Sequence, residues 1–128
     1  MVKRNPAFED LFAQADVAGL AAGHASTPAT MIVEQHASPL DDDSPVLQRW
    51  AVPDGPCGFA WIVVRPGNCP FANWLKRAGK ARTAYGGGVQ VSVHAFNQSL
   101  TRKEAYAHAF ANVLSAAGIK AYADSRMD

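Results

Sequence analysis

The chain has 128 residues, 48% of them hydrophobic and 18% charged, with a formal net charge of +1. That length suits one domain, or one small domain with an extension, and the composition excludes a globally disordered chain. No run of about 18 apolar residues occurs, so no transmembrane helix is expected, and two cysteines are too few for a disulfide framework.

The opening segment "MVKRNPAFEDLF" has acids close behind its bases and lacks the apolar stretch of a signal peptide. With Cys57 and Cys69 read as reduced thiols, an intracellular protein is expected. Charge is unevenly spread. Residues 1–54 hold eight acids and three bases, whereas residues 55–128 hold nine bases and three acids. Between Asp54 and Glu104 there is no acid, against seven bases. Such a gradient hints at a polyanionic partner for the second half; the alternative is that the two halves neutralise each other within one molecule.

Residues 5–22 read as a helix, with Asn5 as cap and Pro6 in the first turn. Phe8, Leu11, Phe12 and Ala15 form its apolar stripe. The following stretch, through the acidic triplet Asp41, Asp42 and Asp43 to Gly58, reads mostly as loop, with "MIVEQ" as a short strand. Residues 58–64, "GFAWIVV", make a strand. Asn68 caps a helix with Pro70 in its first turn, Phe71, Trp74, Leu75 and Ala78 on its buried side, and Gly79 at its end.

"KARTAYGGGVQVSVHAFNQ" then poses a choice between a phosphate-cradling loop and a turn. A phosphate loop follows an apolar strand and opens straight into a helix. Here the glycines open into the alternation Val89, Val91, Val93, so Gly-Gly is expected to close a two-residue hairpin. Thr101 to Glu104, "TRKE", is a capping box for a helix with Tyr106, Phe110, Val113, Leu114 and Ala117 on its apolar stripe and Gly118 at its end. "IKAYA" reads as the last strand. Residues 55–128 therefore read as an α+β domain in the order β-α-β-β-α-β, the ferredoxin-like arrangement with two helices on one sheet face, preceded by the 1–54 helix and acidic loop.

Such a sheet keeps one face free of its own helices. Gln90, Ser92 and His94 are expected there, with Lys120 and Tyr122. In the first strand either Phe59, Trp61 and Val63 or Ala60, Ile62 and Val64 face outward. In the first case Trp61, Phe59, Tyr122, Lys120 and Gln90 share a surface of the kind that stacks unpaired bases. The third strand lacks the aromatic signature of the RNA-recognition family, and the competing expectations are that the N-terminal helix covers this face or that it forms a dimer interface. Arg65, Lys76, Arg77, Lys80 and Arg82 surround one helix and its exits, as phosphate contacts require; a solvated helix face is the alternative.

Chemistry is less well supported. Cys69 lies at a helix N-terminus, where a thiol can be activated, but no histidine is near it in sequence. Cys57, Cys69, His94 and His108 lack the spacing of a zinc site, and the Asp41–Asp43 triplet lacks that of a calcium loop. No cofactor or metal is expected.

The segments "GFAWIVVRPGNCPFANWLKRAG", "YGGGVQVSV" and "NQSLTRKEAYAHAFANVLSAAGIKAYADSRMD" resemble small proteins of bacteriophages and prophages, over roughly residues 57–128. The resemblance carries no assigned activity and no catalytic residues. It implies a viral setting, either the bacterial host cytoplasm or a virion. The combined expectation is a non-enzymatic binding protein that contacts nucleic acid through Arg65, Lys76, Arg77, Lys80, Arg82, Trp61, Tyr122 and Lys120. The alternatives are a protein that docks a host or phage protein, with self-association through a sheet edge as one form, and a cysteine-dependent enzyme.

Overall fold

A computed structural model of the chain describes residues 6–26, 31–37, 45–52, 56–97 and 99–128, with backbone alone over 31–35 and 47–52. Its elements are α1 (Pro6–Ala25), β1 (Met31–His36), β2 (Val46–Val52), β3 (Gly58–Arg65), α2 (Pro70–Arg77), β4 (Arg82–Thr83), β5 (Val89–Ser92), α3 (Leu100–Ala116) and β6 (Lys120–Met127). Strands β4, β5, β3 and β6 form, in that order, a four-stranded antiparallel sheet, and β1 and β2 form a separate antiparallel pair. Strand β1 falls on the "MIVEQ" segment expected to be a short strand, whereas β2 occupies residues expected to be loop. Asn5 and the Asp41–Asp43 triplet lie outside the described residues.

Alternation in β3 settles which side is buried. Ala60, Ile62 and Val64 enter the core with Val89, Val91 and Val93, beneath Phe71, Trp74 and Leu75 of α2 and Phe110 and Leu114 of α3. Both helices therefore cover the same sheet face. Helix α1 adds a layer on top of them rather than closing the opposite face. Phe8 meets Phe71 edge-on at 5.3 Å, and Phe12 meets Phe110 edge-on at 5.3 Å. Edge-to-face pairs of this kind add about 0.5–1.5 kcal/mol each beyond the area they bury.

Small residues let α1 approach closely. Gly19 lies against the Tyr106 ring, and Gly23 against Phe96. The Tyr106 hydroxyl donates to the Asp16 carboxylate across this contact. Arg102 Nη1 donates to the carbonyls of Gly23, at 2.9 Å, and His24, at 3.3 Å, so a cation of α3 satisfies carbonyls at the C-terminal end of α1.

Two caps differ from expectation by a residue or two. Cys69, not Asn68, caps α2: its Sγ accepts from the Ala72 N–H at 3.4 Å. Ser99, not Thr101, caps α3, its Oγ accepting from the Arg102 N–H. In both cases the acceptor three residues before the free N–H wins, as capping geometry demands. The β4–β5 connection is also longer than two residues. Thr83 pairs with Val89, and Gly86, Gly87 and Gly88 all adopt positive φ. Gly88 has a second reason to lack a side chain, since a β-carbon there would stand 2.6 Å from the Val64 carbonyl oxygen.

Candidate nucleic-acid interface

The other alternation of β3 puts Phe59, Trp61, Val63 and Arg65 on the sheet face opposite α2 and α3; Val63 is buried there, while Phe59, Trp61 and Arg65 reach the surface to differing degrees. Register supplies their neighbours. Trp61 lies between Ser92 and Asp124, Val63 between Gln90 and Tyr122, and Phe59 beside Arg126. Phe59 is 37% exposed and Tyr122 43%, values that leave both rings available to a ligand. Trp61 is half-buried in the middle of the sheet.

Cations crowd these rings. The Arg65 guanidinium lies 5.5 Å from the Tyr122 centroid, that of Arg126 5.3 Å from Phe59, and Lys103 Nζ 5.5 Å from Phe59. Each falls within the distance at which a ring quadrupole attracts a cation. Lys103 is 5% exposed, so its ammonium is held in place rather than free to roam. With the Gln90 amide oxygen turned toward Arg82, it accepts from Nε at 3.2 Å and Nη2 at 3.1 Å. Arg65 Nη2 also donates to the Gly86 carbonyl at 3.2 Å, which ties the glycine turn to the rim of the face. The result is a shallow groove over Phe59 and Trp61, walled by Arg82, Gln90, Lys103 and Arg126.

The eight residues expected to bind nucleic acid divide between two layers. Trp61, Arg65, Arg82, Lys120 and Tyr122 share the open sheet face. Lys76, Arg77 and Lys80 do not, because α2 covers the other side of the sheet. Lys76 and Arg77 point to solvent there, and Lys80 Nζ caps the Phe12 ring at 4.7 Å. Lys80 thus helps seat α1 on the helix layer.

Two cations of the open face escaped the sequence reading. Arg126 was beyond the expected end of the last strand, which continues to Met127 and pairs throughout with β3. The apolar-polar alternation of "IKAYADSRM" carries that extension. Lys103 belongs to a helix, and nothing local directs it toward a strand. Cys69 is occupied as a cap, and among the described residues no three His, Cys, Asp or Glu side chains gather as a metal site. Among the described residues, too, no helix is long and apolar enough to cross a membrane. No protein-family model, curated protein or solved structure matches the chain.

Proposed function

We propose that this protein is a binding module that takes single-stranded nucleic acid on its open sheet face. The observation that carries the reading is the row Phe59, Trp61 and Tyr122 on that face, interleaved with Arg65, Arg82, Lys103, Lys120 and Arg126. Unpaired bases stack on aromatic rings while phosphates find guanidinium and ammonium donors, which gives sequence-tolerant affinity that falls with salt. Asp124 is an acid within the row, and Asp128 follows at the end of β6.

The fold we infer is ferredoxin-like. Strands β3 and β4 run in the same direction with β5 between them, and β5 and β6 run in the same direction with β3 between them. Two interleaved split βαβ units of this kind are the basis of that arrangement. Its aromatics lie on the first and last strands of the sheet, where the third strand offers only Gln90 and Ser92. We place the protein in a bacteriophage or prophage setting on the resemblance of residues 57–128.

Titration of the intrinsic tryptophan fluorescence with oligothymidine tests the reading. Saturable quenching is expected at low salt, weaker at physiological salt, and lost in Trp61→Phe. Unchanged fluorescence at low salt overturns it.

A further inference from the structure

We infer that β6 pairs with β6 of a second copy, about a two-fold axis through Tyr122, to make one continuous eight-stranded sheet. Strand β6 is an edge of the sheet, eight residues long, and its side chains range from half-buried to exposed. A long free edge is a template for another strand unless it is covered or blunted.

Hydrogen bonds identify the groups on that edge. The Asp128 N–H points inward, donating to the Cys57 carbonyl of the neighbouring strand at 3.1 Å. The outward groups therefore belong to the odd positions. Ser115 Oγ donates to the Ala121 carbonyl at 3.3 Å, and Asp124 Oδ1 accepts from the Ser125 N–H at 2.8 Å. These contacts partly occupy the edge without closing it. A carbonyl has a second lone pair, and the Asp124 contact is local and exposed. Nothing in them occupies the N–H and C=O of Ala123 or the N–H of Ala121.

Odd positions must face odd positions for the new ladder to form, which limits the registers for a two-fold pair. Pairing Ala123 with itself sets Lys120 against Arg126. Pairing Asp124 with itself sets acid against acid. Pairing Tyr122 with itself sets Lys120 opposite Asp124 twice and Ala121 opposite Ala123 twice. Pairing Ser125 with itself sets Asp124 opposite Arg126, but it centres on the Ser125 N–H that already donates to Asp124 Oδ1. Unlike charges opposite one another stabilise a strand pair, and like charges destabilise it, so the register through Tyr122, flanked by the open edge groups of Ala121 and Ala123, is selected. It also relieves a clash of charge within the monomer, where Lys120 is the cross-strand neighbour of Arg65. On the helix side Ala121 faces Ala123 of the second copy, and on the open side the two aromatic rows join.

Sedimentation and light scattering of the full chain at about 100 μM test this, a concentration that fills most of a dimer with a Kd of about 10 μM. A mass twice the 13.6 kDa of the chain is expected. Lys120→Asp is expected to weaken association at least tenfold, and the swap Lys120→Asp/Asp124→Lys to restore it. In a Cys57→Ser/Cys69→Ser background, Tyr122→Cys is expected to form an intermolecular disulfide under mild oxidation. Lys120→Cys alone forms none, but does so when mixed with Asp124→Cys. Ala123→Pro, which removes an outward N–H only, is expected to keep the monomer fold by circular dichroism and lose the dimer. A monomeric wild type at that concentration overturns the proposal. So does a dimer that ignores the charge swap and does not cross-link at Tyr122.

Discussion

Gly19 of α1 lies directly against the ring of Tyr106 in α3: a β-carbon at Gly19 would stand 2.7 Å from Cδ2 and 2.9 Å from Cγ. The obstructing atoms belong to the body of the ring, not to the flexible end of a chain. Gly19→Ala therefore forces α1 away from α3 or Tyr106 off its rotamer. Overpacking of this sort costs about 1–3 kcal/mol, and the better helix propensity of alanine returns at most about 1 kcal/mol. A lower Tm is expected, whereas alanine at an exposed site of the same helix, Val17, is expected to change Tm little.

The same tyrosine sets a dependence on alkaline pH. Burial, then the hydrogen bond to Asp16 and the charge of that carboxylate, raise the Tyr106 phenol well above its ordinary range. The folded state thus keeps the proton after the unfolded chain, with a pKa of about 10, has released it. Stability from this group is full below about pH 10 and declines above it, by up to about 1.4 kcal/mol per pH unit. Chemical denaturation between pH 9 and 11 checks the slope. Tyr106→Phe is expected to flatten it and to lower stability at neutral pH by about 1–3 kcal/mol, through loss of a hydrogen bond to a charged group.

The division of cations between layers separates two sets of substitutions. Trp61→Ala is expected to weaken oligothymidine binding by about 1–3 kcal/mol, the contribution of a stacked base. Arg126→Glu is expected to reduce the magnitude of the salt slope by about 0.7 or more, as loss of a phosphate contact on a single strand does. Lys76→Glu/Arg77→Glu, on the opposite layer, is expected to leave affinity within about twofold, because its charges are screened over such separations. Anisotropy of a dye-labelled oligothymidine at several salt concentrations reads all three, with a signal that does not depend on Trp61.

The glycine turn offers a comparison within one loop. Gly86 has φ +91° with nothing near its missing side chain, whereas Gly88 has φ +78° and the Val64 carbonyl in the way. Gly86→Ala meets only the backbone penalty, roughly 1 kcal/mol. Gly88→Ala adds a backbone collision and is expected to lower Tm clearly further.

Cys69 supplies a fourth stability test. Hydroxyl oxygen is a stronger acceptor than thiol sulfur, so Cys69→Ser is expected to hold or raise Tm. Cys69→Ala leaves the Ala72 N–H without its partner and is expected to lower stability by about 0.5–1 kcal/mol.

Much of the open face was legible because β5 and β6 alternate cleanly. Val89, Val91 and Val93 against Gln90 and Ser92, and Ala121 and Ala123 against Lys120 and Tyr122, can be buried in only one way. Strand β3 was not legible, since Phe59, Trp61 and Val63 are as apolar as Ala60, Ile62 and Val64. Only the packing of two helices on the smaller set decides between them. The place of α1 was hidden for a related reason. Its stripe of Phe8, Leu11 and Phe12 would suit either a sheet face or a groove between helices, and the glycines that fit it to the second are silent until Tyr106 and Phe96 stand opposite them.

The Asp16–Tyr106 bond joins residues 90 positions apart. During synthesis at about 5–20 residues per second, α1 leaves the ribosome on the order of ten seconds before the helix that receives it. Through that interval Phe8, Leu11 and Phe12 have no seat, and the sheet cannot close until its final strand has emerged. The nascent chain is therefore expected to expose an unsheltered greasy helix while the residues between α1 and α3 are being added, an invitation to whatever holdase waits at the exit tunnel.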